Sequence, residues 1–137
     1  ILGTEAATTV IDGNKLDRVL HVMEGAILEI HNVTITGGET GAIASVPGAS
    51  GAPGGGVYNA GGLILRDCIV DGNATAYGYS GGQMAHGGHG GGIYNVGSLL
   101  LENTTVSNNR TGAGSSGSVP AGYGGDGGGL YNGDAAR

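Results

Sequence analysis

A chain of 137 residues is the size of one domain, and this one sets 11 Asp+Glu against 5 Lys+Arg, a net charge of −6 with no basic cluster. That balance argues against nucleic acid or an anionic membrane surface as a partner. Gly supplies 33 residues without an every-third-residue period, which excludes collagen, and 39% hydrophobic residues in short, evenly placed runs argue for order. No apolar run approaches the roughly 18 residues that span a bilayer. The single cysteine, Cys68, allows no disulfide framework and reads as a small buried hydrophobe. The opening Ile1-Leu2-Gly3-Thr4 has no basic n-region of a secretion signal, so the expectation is a processed or excised chain.

In chain order, Val10-Ile11-Asp12-Gly13-Asn14 matches Ile69-Val70-Asp71-Gly72-Asn73 in type and reads as the end of a first coil. Lys15 to Arg18 turns the chain, and Val19-Leu20-His21-Val22 begins a strand. Gly54-Gly55-Gly56-Val57-Tyr58-Asn59 then returns as Gly90-Gly91-Gly92-Ile93-Tyr94-Asn95 and as Gly127-Gly128-Gly129-Leu130-Tyr131-Asn132, at spacings of 93 − 57 = 36 and 130 − 93 = 37. A period of this size marks a stacked repeat.

The register expected from this period aligns Val22 with Val57 and Ile93. Leu28 and Ile30 align with Leu63 and Leu65, then with Leu99 and Leu101. Val33 and Ile35 align with Cys68 and Val70, then with Thr104 and Val106. Glu29, Arg66 and Glu102 fall between them as one outward row. Alternation with period two is strand, and no 3.6-residue period is present. Each unit is therefore three short strands, with corners at Asn59, near Asp67 and after Asn73. Asn95, Asn103 and Asn109 repeat these corners, and Asn32 precedes Asp67. Asn recurring at one corner can hydrogen-bond amide to amide along the stack, which predicts an asparagine ladder of Asn59, Asn95 and Asn132.

Long Gly/Ser/Ala-rich inserts leave from one corner: Glu39 to Pro53, Ala74 to His89 and Arg110 to Asp126. Loops of this length are usually functional or flexible, and repeat proteins gather them on one face. The expected fold is all-β: a right-handed parallel β-helix of three-strand coils, about four in number. It fits three unequal strands and one-sided inserts better than a left-handed or flat stack. Residues 1–137 form a single solenoid segment, of a longer protein or of an end-to-end assembly, because Leu130-Tyr131-Asn132 opens a coil it does not complete.

The units resemble the polymorphic outer-membrane protein repeats, which carry a Gly-Gly-Ala-Ile element and a Phe-x-x-Asn element. Gly55-Gly56-Val57, Gly91-Gly92-Ile93 and Gly128-Gly129-Leu130 correspond to the first. Ile11-Asp12-Gly13-Asn14, Val70-Asp71-Gly72-Asn73 and Val106-Ser107-Asn108-Asn109 correspond to the second, with Val or Ile in place of Phe. The chain is more similar still to surface β-helix proteins with Gly-Gly-Gly-Ile-Tyr-Asn repeats. The resemblance implies a right-handed parallel β-helix, export and surface display. It carries no catalytic assignment, since such proteins are adhesins, passengers and scaffolds.

No catalytic constellation emerges from the residues. A β-helix enzyme acting on polysaccharide needs paired carboxylates about 5 to 9.5 Å apart, or an acid cluster that binds Ca²⁺. Glu29 and Glu102 have the cation Arg66 between them, and Asp67 lies between Asn32 and Asn103 as part of a turn ladder. His86-Gly87-Gly88-His89 has a metal-like spacing for Zn²⁺ or Cu²⁺, yet no third ligand accompanies it, and loop histidines without metal are the expectation. Tyr58, Tyr94 and Tyr131 should face outward as an aromatic ladder, or as a strip that docks sugar rings or a neighbouring chain. Asn-x-Thr occurs at Asn32, Asn73, Asn103 and Asn109, with Asn73 and Asn109, at the mouths of inserts, expected to be the exposed glycosylation candidates. The expected function is a non-enzymatic extracellular solenoid: a surface scaffold, adhesin stalk or fibre unit stacking on copies of itself. No cofactor is expected. The alternatives are a carbohydrate-active β-helix enzyme and a module binding cell-surface glycans.

Overall fold

The computed structural model describes residues 1–41, 46–117 and 120–133. Among these, every regular element is a short strand: β1 (Val10–Asp12), β2 (Leu20–Val22), β3 (Ile27–His31), β4 (Thr34–Thr36), β5 (Val57–Asn59), β6 (Gly62–Arg66), β7 (Ile69–Asp71), β8 (Ile93–Asn95), β9 (Ser98–Glu102), β10 (Thr105–Ser107) and β11 (Leu130–Asn132). They form three parallel sheets, ordered β1-β4-β7-β10, β2-β5-β8-β11 and β3-β6-β9. The chain visits the three sheets in rotation, so each strand pairs with the one three places later. This is the winding of a β-solenoid.

Aliphatic side chains at alternate positions point inward and stack between windings. Ile30, Val33, Ile35, Val57, Leu63, Leu65, Cys68, Val70 and Ile93 are fully buried there. Corners stack as well. Asn32, Asp67 and Asn103 sit above one another with φ of 53°, 52° and 47°, a left-handed conformation that Asn and Asp tolerate better than other residues with a Cβ. Gly54, Gly90 and Gly127, with φ of 71°, 65° and 67°, form the equivalent column where each insert rejoins the sheets.

Two expected alignments shift by two residues. Leu20, not Val22, lies opposite Val57, and Val22 lies opposite Asn59. The corner after β2 holds four residues, Met23 to Ala26, where the later corners hold two, Ala60-Gly61 and Val96-Gly97. A shift of two preserves the inward face, so Val22 is still buried. Similarly, Glu29 stands in a row with Ile64 and Leu100, whereas Arg66 and Glu102 share their row with His31.

The inserts are not a loose flank. Thr40, Ala74, Thr75, Ala76, Ala85 and Ser115 are buried within them. Ala76 N–H donates to Thr40 Oγ1 (3.0 Å) and Gly112 N–H to Thr75 Oγ1 (2.9 Å), each bond joining one insert to the next. Within their own inserts, Thr40 Oγ1 donates to Ala52 O (2.8 Å) and Thr75 Oγ1 to Gly88 O (2.6 Å). The Ala76 carbonyl lies between the α-carbons of Gly51 and Gly112, and a Cβ on either would collide with it. Glycine here permits backbone to pack on backbone, so the described parts of the inserts form a second, ordered lobe beside the sheets.

Candidate functional site

Tyr58, Tyr94 and Tyr131 occupy the central outward position of β5, β8 and β11, which places them in one column. Ring centroids lie 5.1 Å apart in both pairs, with interplanar angles of 23° and 3°. His21 meets Tyr58 edge-on at 4.7 Å, and the Arg18 guanidinium lies 5.2 Å from the Tyr58 ring. Burial pushes the Tyr94 phenol above its ordinary pKa, and a neighbouring phenolate at Tyr58 or Tyr131 would push it further. The rings turn their faces to one another along the column.

Beside this column, on the inward side, runs the asparagine ladder. Asn59 Nδ2 donates to Asn95 Oδ1, and Asn95 Nδ2 to Asn132 Oδ1, both at 2.6 Å. Backbone partners fix the amide orientation: Asn59 Oδ1 accepts from Gly61 N–H, and Asn95 Nδ2 donates to Gly97 O. Asn59 and Asn95 are buried. A second pair stands where the inserts leave. Asn73 Nδ2 donates to Asn109 Oδ1 and to Ile35 O, while Asn73 Oδ1 accepts from Gly38 N–H.

That second pair corrects the ranking of the glycosylation candidates. Asn73 is fully buried with its amide committed, and Asn109 is half-buried with its Nδ2 donating to Val70 O. Their position at the mouths of inserts suggested exposure, but the ordered inserts close over them. Asn32 is half-buried; Asn103 is the exposed member of the four, its amide donating to Asp67 Oδ1 at 3.3 Å.

On the outer face of β3-β6-β9, Arg66 pairs with Glu102 and, diagonally, with Glu29 at 3.3 Å; His31 Nε2 lies 2.9 Å from the same Glu29 oxygen. The His31 hydrogen bond above all holds the Glu29 carboxyl below its usual range, against the opposing effect of desolvation and with Arg66 adding to it. A general acid needs the opposite shift.

His86 and His89 reach from one insert to the next. Tyr123 N–H donates to His86 Nδ1 (3.1 Å) and Asp126 N–H to His89 Nδ1 (2.9 Å). His86 also stacks on Tyr123 at 5.5 Å and 7°, and His89 lies 4.9 Å from the Tyr131 ring. Each Nδ1 is therefore occupied, and among the described residues no group of three or more His, Cys, Asp or Glu could hold a metal ion.

Sequence reasoning missed one feature. The longer corner Met23 to Ala26 overhangs the small residues of the next two, leaving an open groove of about 760 Å³ lined by Glu24, Ala26, Ile27, Gly61, Gly62 and Ser98 among others. Its signal was present in the extra residues of that corner. Among the described residues Glu24 is the sole ionisable one in the lining, so they place no acid pair or acid–base pair in the groove. Comparison with known proteins adds no relative to this description: no family model, no curated protein and no solved structure matches the chain.

Proposed function

We propose that this chain is a non-enzymatic structural solenoid, wound right-handed in about four three-strand coils and displayed outside the cell as a surface scaffold, adhesin stalk or fibre unit. One observation carries the reading. The Tyr, Asn and charged side chains that recur along the axis bond to their counterparts one winding away, so repetition serves cohesion rather than a reaction centre. Two further facts support it. No buried side-chain N or O among the described residues is left without a partner, and the carboxyl with a resolved shift is stabilised as its anion. The resemblance to Gly-Gly-Gly-Ile-Tyr-Asn surface proteins favours an extracellular setting.

The layer β9-β10-β11 is open: Leu99, Leu101 and Val106 are half-buried where their counterparts Leu63, Leu65 and Val70 are fully buried. A further strand layer, from the same polypeptide, from a copy stacking end to end or from another chain, would cover it. The groove beside Glu24 favours a second reading, a glycan-binding module or a carbohydrate-active β-helix. A screen of polysaccharides for depolymerisation separates the two. The expected result is no turnover; turnover abolished by replacing a single carboxylate of this chain would overturn the scaffold reading.

A further inference from the structure

Three of the six tyrosines of the chain stand in the column, and each adjacent pair brings two oxidisable phenols together across a winding. The ring centroids are 5.1 Å apart in both pairs. Tyr58, Tyr94 and Tyr131 are all half-buried at the surface, so a soluble oxidant reaches them. Tyr77, Tyr79 and Tyr123 are more exposed, at 60%, 39% and 73%. Among the described residues, however, none of these three stacks on another tyrosine, and Tyr123 stacks on His86.

We propose that the tyrosine column is a site of oxidative cross-linking, where a haem peroxidase with hydrogen peroxide joins Tyr94 to Tyr58 or to Tyr131 as dityrosine. The peroxide takes one electron and one proton from each of two phenols and leaves as two waters. The two phenoxyl radicals pair their electrons in a bond between ring carbons ortho to the hydroxyls. The hydrogen displaced from each of these carbons moves to the phenoxyl oxygen, which restores both phenols. The bond joins ring edges, so each pair must tilt out of its stack, a motion open to side chains at the surface. Proximity decides the partner: a ring held in contact outcompetes one on another chain at micromolar concentration by about a thousandfold. The net charge of −6 further opposes the meeting of two chains. The product is a covalent staple between neighbouring windings, spanning 94 − 58 = 36 or 131 − 94 = 37 residues. The staple uses residues of this chain alone and does not depend on the scaffold reading.

The test treats the 137-residue chain, at micromolar concentration, with a haem peroxidase and one equivalent of hydrogen peroxide. Dityrosine fluorescence should appear in the single-chain band of a denaturing gel, with an intact mass lower by two hydrogens. Trypsin cuts after Arg66 and Arg110, which places Tyr58, Tyr94 and Tyr131 on three separate fragments. The fragment with Tyr94 should emerge covalently linked to one of the other two, and fragment-ion sequencing should place the link at Tyr94. Tyr94→Phe keeps the ring but removes the phenol, leaving Tyr58 and Tyr131 two windings apart, so single-chain fluorescence should fall by about tenfold or more. The triple variant Tyr77→Phe, Tyr79→Phe, Tyr123→Phe should keep it unchanged. Absence of dityrosine, its confinement to bands of two or more chains, or a link mapped to Tyr77, Tyr79 or Tyr123 would overturn the proposal. So would an undiminished single-chain signal from Tyr94→Phe. The mapped link is read on the unaltered chain, so it decides the matter even where Tyr94→Phe fails to fold.

Discussion

Replacing Gly112 by Ala lowers the stability of the chain, although the same change in a loose loop would raise it. In a flexible segment at ordinary φ, Gly→Ala removes unfolded-state freedom and stabilises by about 0.4–1 kcal/mol. At Gly112 the new methyl would run into the carbonyl of Ala76 and approach the amide nitrogen of Tyr77, all backbone atoms. Neither can swing aside as a side-chain tip could, so the insert must shift and loosen the Gly112 N–H bond to Thr75 Oγ1. A net loss of about 2 kcal/mol is expected, in the range of other overpacked sites. Gly41 is the control: a Cβ there meets nothing within 4 Å. Urea unfolding should therefore move in opposite directions for Gly112→Ala and Gly41→Ala. A rise for both would mean that the inserts are loops after all.

Asn95→Leu is expected to cost about 2–4 kcal/mol, although Leu is close to Asn in size and more apolar. The substitution strips Asn59 Nδ2 of its ladder acceptor and removes the donors to Asn132 Oδ1 and Gly97 O. Asn59 is fully buried, so water does not replace the lost bond, and each such orphan costs about 1–3 kcal/mol. Asn132 is exposed and recovers its partner from solvent, which limits the total. Asn103→Gly, at the exposed corner where φ is 47°, keeps the backbone unstrained and should fall within about 0.5 kcal/mol of the unaltered chain. Comparable urea midpoints for Asn95→Leu and Asn103→Gly would show that the buried amides contribute no more than surface ones.

The strands were legible because their cause is local and repeats. Gly-Gly-Gly-aliphatic-Tyr-Asn returns at spacings of 36 and 37, and alternation within each unit separates Leu63 and Leu65, which go in, from Ile64 and Arg66, which go out. Period two fixes the face of a side chain but not its position along the strand. A shift of two residues was therefore invisible at Val22, and only the corner lengths resolve it; at Glu29 the alignment of Leu28 and Ile30 with Leu63 and Leu65 already sets the residue opposite Ile64, not Arg66. The aromatic and asparagine columns were legible for the same reason as the strands, since identical residues at identical places in a parallel stack must meet.

Composition misled at the inserts. Glycine-rich stretches suggest freedom, yet Gly51, Gly88 and Gly125 recur at 88 − 51 = 37 and 125 − 88 = 37, the period of the windings themselves. Each lies where a Cβ would strike the backbone of a neighbouring insert. That spacing was the available signal that the inserts stack. Asn73 followed from the same oversight: beside a loose loop it would be exposed, whereas under an ordered lobe it is buried. The direction of the amide ladder needed coordinates, because it depends on which backbone groups hold each amide.

Amide hydrogen exchange tests most directly the claim that sheets and inserts form one cohesive stack. Ala76 N–H is bonded to Thr40 Oγ1, Gly78 N–H to Ala113 O and Gly88 N–H to Ala76 O. These three should be protected to a degree comparable with the amides of Leu63 and Leu65 in the central strand β6. Exchange of the three insert amides at the rate of an unstructured chain, with β6 still protected, would contradict it.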